Sequence, residues 1–137
     1  MRSTLKICLV AAGTLLVNIA LAQDDITAGD FKAFQDYVTK SNIAPACQTC
    51  HQVDKKMVGP SYNAVALKYK GDDKAAAALE KKVLEGGSGV WGAVPMTPNP
   101  TAKDHAAKLV KWILALDPKD DAKKAAEDEI KAAPPKK

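Results

Sequence analysis

Beyond residue 26 the large apolar residues recur every three or four positions, the period of a helix with one buried face. Phe31, Phe34, Tyr37 and Val38 make the first such face, with Thr27 as its cap, Asp30 three residues on, and Ser41-Asn42 as its end. Gly59-Pro60 opens a second helix over Ser61 to Lys70, with proline in the first turn, Tyr62, Val65, Ala66 and Tyr69 on one side, and Gly71 as the stop. Asp72-Asp73 caps a third, Lys74 to Glu85, whose Leu79 and Val83 face one way and which Gly86-Gly87 terminates. Thr101 caps a fourth, running to Leu116, with Leu109, Trp112, Ile113 and Leu116 turned inward. No run alternates apolar with polar residues as a half-buried strand would, and no internal repeat is present. The expected fold is all-α, with about four helices.

Between the third and fourth helices, Ser88 to Pro100 is too rich in glycine and proline for a regular element. It nevertheless carries Val90, Trp91, Val94 and Met96, so it needs something apolar to pack on.

The two ends of the chain are of another kind. Arg2 and Lys6 precede an apolar run from Ile7 to Leu21, and Ala20-Leu21-Ala22 offers the small-x-small pattern of a signal peptidase site. Residues 1–22 therefore read as a cleaved secretory signal peptide, with an apolar run of about fifteen residues, short for a membrane span. Cys8 leaves with it. At the other end, residues 118–137 are built from Ala, Lys, Asp, Glu and Pro, with Ile130 their single large apolar residue. Acid and base alternate at helical spacing between Asp120 and Ala132, which predicts transient helix, but nothing there is equipped to join a core. The expectation is one domain over 23–117, followed by a mobile charged tail.

Charge changes the picture mainly by exclusion. Of 20 basic residues, Arg2 and Lys6 leave with the signal, so 18 face 16 acidic ones, a balance of +2. That is too even for a nucleic-acid or anionic-membrane binder. Aromatic residues make up only 5% of the chain. So small a domain buries little surface, and a large rigid apolar cofactor would complete its core.

Export leaves two cysteines, Cys47 and Cys50, in an oxidising compartment where a thiol pair closes to a disulfide unless something consumes it. The stretch Cys47-Gln48-Thr49-Cys50-His51 names the consumer: two thiols three apart, with histidine directly behind, is the spacing of covalent c-type haem attachment. On one helical turn both sulfurs reach the vinyl groups along one porphyrin edge, and His51 points at the iron. Met96, between Pro95 and Thr97-Pro98, sits on stiff backbone and is the candidate for the opposite iron ligand. His105, at a helix end, reads as a boundary residue.

Taken in order, Cys47 to His51, Lys56-Met57-Val58-Gly59-Pro60-Ser61-Tyr62, Gly89-Val90-Trp91-Gly92, Val94-Pro95-Met96, Asn99 and Lys111-Trp112-Ile113-Leu114 resemble a small bacterial class I cytochrome c of the c551 or c8 subgroup. The resemblance covers roughly Phe31 to Leu116. It implies a compact fold wrapped around one covalently bound haem c, with Cys47 and Cys50 as thioethers and His51 and Met96 as axial ligands. It further implies that the Pro60 carbonyl takes the other ring proton of His51, that Trp91 donates to a haem propionate, and that the Asn99 amide reaches the methionine sulfur. Lys82 stands where some members place an arginine near a propionate, though lysine is a point donor rather than a fork. Three features depart from the family's pattern: a longer Ser41–Ala46 segment, Thr97 where proline is common, and residues 118–137, which have no counterpart.

The function implied is a soluble periplasmic electron carrier, not an enzyme. It would be monomeric, without membrane insertion after signal cleavage, and would dock weakly and transiently on respiratory complexes upstream and a terminal reductase or oxidase downstream. An alternative keeps the distal side open, as a gas-binding or peroxidatic haem protein in which Met96 is filler. A thiol–disulfide oxidoreductase would set its cysteine pair in a βαβ unit, which is not predicted here. A zinc site would find only Cys47, Cys50, His51 and the distant His105.

Overall fold

In a computed structural model, residues 26–27, 29–43 and 46–134 are described. The proposed signal segment, Ala28 and Pro45 lie outside them. Helix α1 spans Phe31–Lys40, and its cap is Asp30, whose carboxylate accepts the Ala33 N–H at 2.9 Å. Thr27 does not play that part. Its carbonyl instead accepts the Asp30 N–H at 3.1 Å and the Trp112 indole N–H at 3.0 Å. A carboxylate adjoining the first helical residue is the better placed acceptor. At the other end Asn42 adopts φ 50°, and Ile43 N–H bonds back to Val38 O at 3.2 Å, a Schellman closure with both side chains buried.

Helix α2 (Ala46–Cys50) is a single turn carrying the cysteine pair. Helix α3 (Tyr62–Lys68) starts one residue later than its sequence suggests: Ser61 is the cap, its Oγ accepting from Ala64 N at 3.1 Å, and Pro60 stays outside. Helix α4 (Ala75–Glu85) follows a turn in which Asp72 accepts the Lys74 N–H at 3.0 Å. The predicted fourth helix is divided. Pro100–Ala102 forms a 3₁₀ turn, and α5 runs only over Ala106–Leu114. Thr101 caps nothing and donates to Asn99 Oδ1 at 2.7 Å.

Where α1, α3 and α5 meet, Phe34 stacks on Trp112 at 4.3 Å, and Tyr62 meets both rings edge-on at 5.4 and 5.8 Å. Phe34 and Trp112 are 1% and 2% exposed, so burial and aromatic contact together make this triad the core's anchor. Tyr37 Oη and His105 Nδ1, 2.7 Å apart, tie α1 to the start of α5, which gives His105 the boundary role expected of it.

The largest difference from the sequence reading lies at the C-terminus. Instead of a mobile tail, Asp120–Ala132 forms a sixth helix, α6, lying along α3. Asp120 and Asp121 sit in its first turn and Lys131 in its last, matching the helix dipole. Ala126 is 2% exposed, and Glu129 accepts from Ser61 N at 3.0 Å and Ser61 Oγ at 2.8 Å. A close helix contact needs small residues rather than large apolar ones, which is why hydropathy alone did not reveal it.

Among the described residues there is no strand, and no helix is long and apolar enough to cross a membrane.

Candidate haem site

The turn of α2 presents Cys47 and Cys50 as free, half-buried thiols, with Cys47 packed against the core. Burial pushes the Cys47 thiol above its ordinary value. His51 follows the last residue of α2, its N–H bonded to Cys47 O at 3.0 Å, and Gly59 N–H returns to Cys50 O at 2.8 Å. The loop 52–58 is thus stitched down: Tyr62 N–H and Asn63 N–H also reach back to Gln52 O and Val53 O, each at 2.9 Å.

That stitching fixes the His51 ring from three sides. Its Nδ1 lies 2.7 Å from Pro60 O. A carbonyl only accepts, so Nδ1 is the donor in this contact, and in a neutral ring that leaves the lone pair on Nε2, the tautomer a metal ligand needs. The ring stacks on Tyr62 at 5.4 Å, with planes 13° apart. Gly59 forms the third side: a Cβ there would lie 2.3 Å from His51 Cε1 and 2.8 Å from both ring nitrogens. Only glycine lets the imidazole rest against the backbone.

Met96 is tied to the Gly86-Gly87 turn that ends α4. It forms an isolated antiparallel bridge with Gly87, Gly87 N–H to Met96 O at 2.9 Å and Met96 N–H to Gly87 O at 3.0 Å. Gly86, at φ 68°, lets the two backbones approach; a Cβ there would stand 2.2 Å from Met96 O. Asn99 N–H bonds to Val83 O at 3.1 Å, so the loop is held at Met96 by the residue pair just past α4 and at Asn99 by α4 itself. Asn99 is buried, and its carbonyl oxygen is taken by Thr101, which leaves the NH₂ end of the carboxamide as the donor side.

Trp91 is half-buried, with Lys68 Nζ 4.8 Å from its ring centroid. Lys82 Nζ lies beside Gly87, 3.2 Å from where a Cβ would stand. Sequence reasoning named Lys82 and missed Lys68; one cation sits against the Trp91 ring and the other on the bridge that holds Met96. The signal for Lys68 was weak, a lysine in the last turn of a helix. On the same loops Met57, Val58 and Val94 remain 44%, 60% and 65% exposed.

These residues fit a haem c. Thiols on one turn, a histidine in the ligating tautomer, a methionine on pinned backbone and partly exposed apolar loop residues are the donor set and apolar cradle such a group requires. They do not form a zinc cage, since among the described residues no three His, Cys, Asp or Glu side chains converge. A groove of about 610 Å³ opens beside the His51 ring, lined by Phe31, Gln48, His51, Val53, Asn63 and Ala122 among others; Cys47, Cys50 and Met96 are not among its lining residues.

The family model described as cytochrome c matches residues 35–117. Cytochrome c-551 of Pseudomonas aeruginosa is 39% identical over 107 residues, covering 78% of this chain and 90% of that protein. Cytochrome c-552 of Nitrosomonas europaea is 45% identical over 92 residues, covering 66% and 85%. The crystal structure of wild-type Nitrosomonas europaea cytochrome c552 aligns with a TM-score of 0.53 at 45% identity, covering 61% of this chain and 99% of that one.

Proposed function

The chain belongs to the cytochrome c family, as a small class I member that carries one covalent haem c in electron transfer, and from this we propose that His51 and Met96 are the two axial ligands of its iron. When bound, the haem supplies a one-electron Fe(III)/Fe(II) couple. Cys47 and Cys50 hold it by thioether bonds. The observation that carries the reading is the 2.7 Å contact of His51 Nδ1 with Pro60 O, because it leaves Nε2 as the one ring nitrogen able to donate to a metal.

Met96 contributes a soft thioether, which raises the reduction potential by favouring the ferrous state. The donor end of the Asn99 carboxamide is available to the methionine sulfur, and Thr101 holds the carboxamide in that orientation. Trp91, with Lys68 over its ring, and Lys82 beside Gly87 offer an indole donor and two cations suited to propionate carboxylates. With His51 and Met96 both serving as ligands, the group would have no position left for substrate, which supports a carrier rather than an enzyme.

The exposed Met57, Val58 and Val94, on the loops that follow His51 and precede Met96, offer apolar side chains of the kind that weak redox encounters use. Partners are a quinol-oxidising complex upstream and a terminal oxidase or reductase downstream, met in the periplasm after removal of residues 1–22, with the protein as a monomer.

The optical spectrum of purified holoprotein tests the ligation. A low-spin ferric form with the thioether charge-transfer band is expected, and Met96→Ala should convert it to a high-spin form that binds carbon monoxide. A wild-type protein already high-spin and open to carbon monoxide would instead support the gas-binding or peroxidatic reading.

A further inference from the structure

The peptide group between Pro60 and Ser61 is engaged at both ends. Its carbonyl oxygen takes the Nδ1–H of His51 at 2.7 Å, and its N–H donates to Glu129 Oε1 at 3.0 Å. The second carboxylate oxygen accepts from Ser61 Oγ at 2.8 Å. Ser61 is 1% exposed and Glu129 half-buried, so this two-point contact lies largely away from bulk water.

We infer that Glu129, on the C-terminal helix, is a positioning residue for the iron's proximal ligand and acts on it through the Pro60–Ser61 amide. The inference rests on His51 being that ligand. An amide is a conjugated unit, so an anion hydrogen-bonded to its N–H moves electron density toward its oxygen. Hydrogen bonds in series polarise one another, most strongly where the dielectric is low. The Pro60 oxygen therefore draws more strongly on the Nδ1 proton, and Nε2 becomes the more basic donor. A more basic proximal donor and a nearby negative charge both favour Fe(III). Glu129 thus lowers the reduction potential, in opposition to the thioether of Met96.

This gives α6 a purpose its composition conceals. Ala126 seats the helix on α3, and Glu129, three positions on, falls opposite the α3 cap. A segment outside the part of the chain that matches the family model, residues 35–117, supplies an electrostatic setting for the site inside it.

Glu129→Gln in the holoprotein is the direct test, since it removes the charge at nearly constant shape. At a fixed ambient potential the Fe(II)/Fe(III) ratio should rise about threefold, some 28 mV upward at about 59 mV per decade for one electron. The Nδ1–H resonance of His51 in the reduced protein should move upfield as its hydrogen bond weakens. Glu129→Asp keeps the charge but withdraws it by one methylene, and should shift both readouts the same way by less. Glu127→Gln removes an exposed charge on the same helix without touching Ser61 and should move neither. A Glu129→Gln protein with lowered thermal stability but unchanged potential and resonance would reduce the contact to a structural one and overturn the inference. An equal shift from Glu127→Gln would overturn it as well, by assigning the effect to charge at a distance. If the wild-type reduced protein shows no hydrogen-bonded Nδ1–H from an iron-bound His51, it is the ligation reading that fails, before any variant is compared.

Discussion

Replacing Gly59 by alanine puts a methyl group where the His51 imidazole lies. The new Cβ would stand 2.3 Å from Cε1, and ordinary contact begins at 3.4 Å, so about 1.1 Å of separation must be found. Most buried side chains could rotate away, but this ring is bonded to Pro60 O at 2.7 Å and stacked on Tyr62. The backbone of loop 52–60 must shift, at the ~1–3 kcal/mol typical of overpacking, and the Nδ1–H bond is lost with it, at a further ~0.5–1.5 kcal/mol. We expect a loss of about 2–4 kcal/mol. For a domain of this size, at about 4–8 °C per kcal/mol, that is a fall in Tm of at least about 8 °C. Thermal unfolding of the holoprotein, followed by circular dichroism alongside the ferric optical spectrum, reads both consequences: lower stability and a perturbed proximal ligand. A Gly59→Ala protein with wild-type Tm and wild-type spectrum would refute the placement of the ring against the backbone, and with it the claim that glycine is required there.

Ending the chain at Lys119 removes the two Ser61–Glu129 bonds and exposes the α3 face under Ala126. Since charged hydrogen bonds contribute ~1.5–3 kcal/mol each and this pair is partly solvated, a loss of about 2–4 kcal/mol in guanidinium unfolding is expected, and an unchanged midpoint would show that α6 does not dock. The double change Cys47→Ala, Cys50→Ala should give a haem-free chain with little helix by far-ultraviolet circular dichroism; a well-folded product would show that the core is complete without its cofactor. Burial, with Asp72 adding to it, pushes the Tyr69 phenol above its ordinary value. The unfolded phenol titrates near 10, so Tyr69 leaves stability unchanged below about pH 10, and above it the unfolded state alone loses protons and stability falls. Tyr69→Phe should flatten the decline in denaturation midpoint between pH 9 and 11, and an identical decline in both proteins would count against the burial of that hydroxyl.

The parts of this molecule legible in the sequence share one property: each is dictated by neighbours along the chain. Phe34, Tyr62 and Trp112 were assigned to buried helix faces from their spacing, and they form the aromatic centre of the core. Cys47, Cys50 and His51 needed only their spacing to indicate a haem. The helix edges were less legible because local rules compete there. Asp30 displaced Thr27 as a cap through a stronger acceptor one residue from the helix, and the segment after Asn99 chose a 3₁₀ turn in which Thr101 serves a carboxamide rather than a helix end.

Sequence alone therefore determined the chemistry: the covalent attachment motif, the candidate iron ligands and an all-helical frame. The tertiary structure decided what holds that chemistry in place, because those contacts join residues far apart in the chain. Met96 is fixed by a backbone bridge to Gly87 that its flanking prolines could not announce. His51 receives its tautomer from Pro60 and its resting surface from Gly59. The residues after Leu116 show the limit most plainly. Their composition describes a solvated tail, and only the fold of α3 presents a buried serine cap 68 positions away that gives Glu129 a reason to fold down onto it.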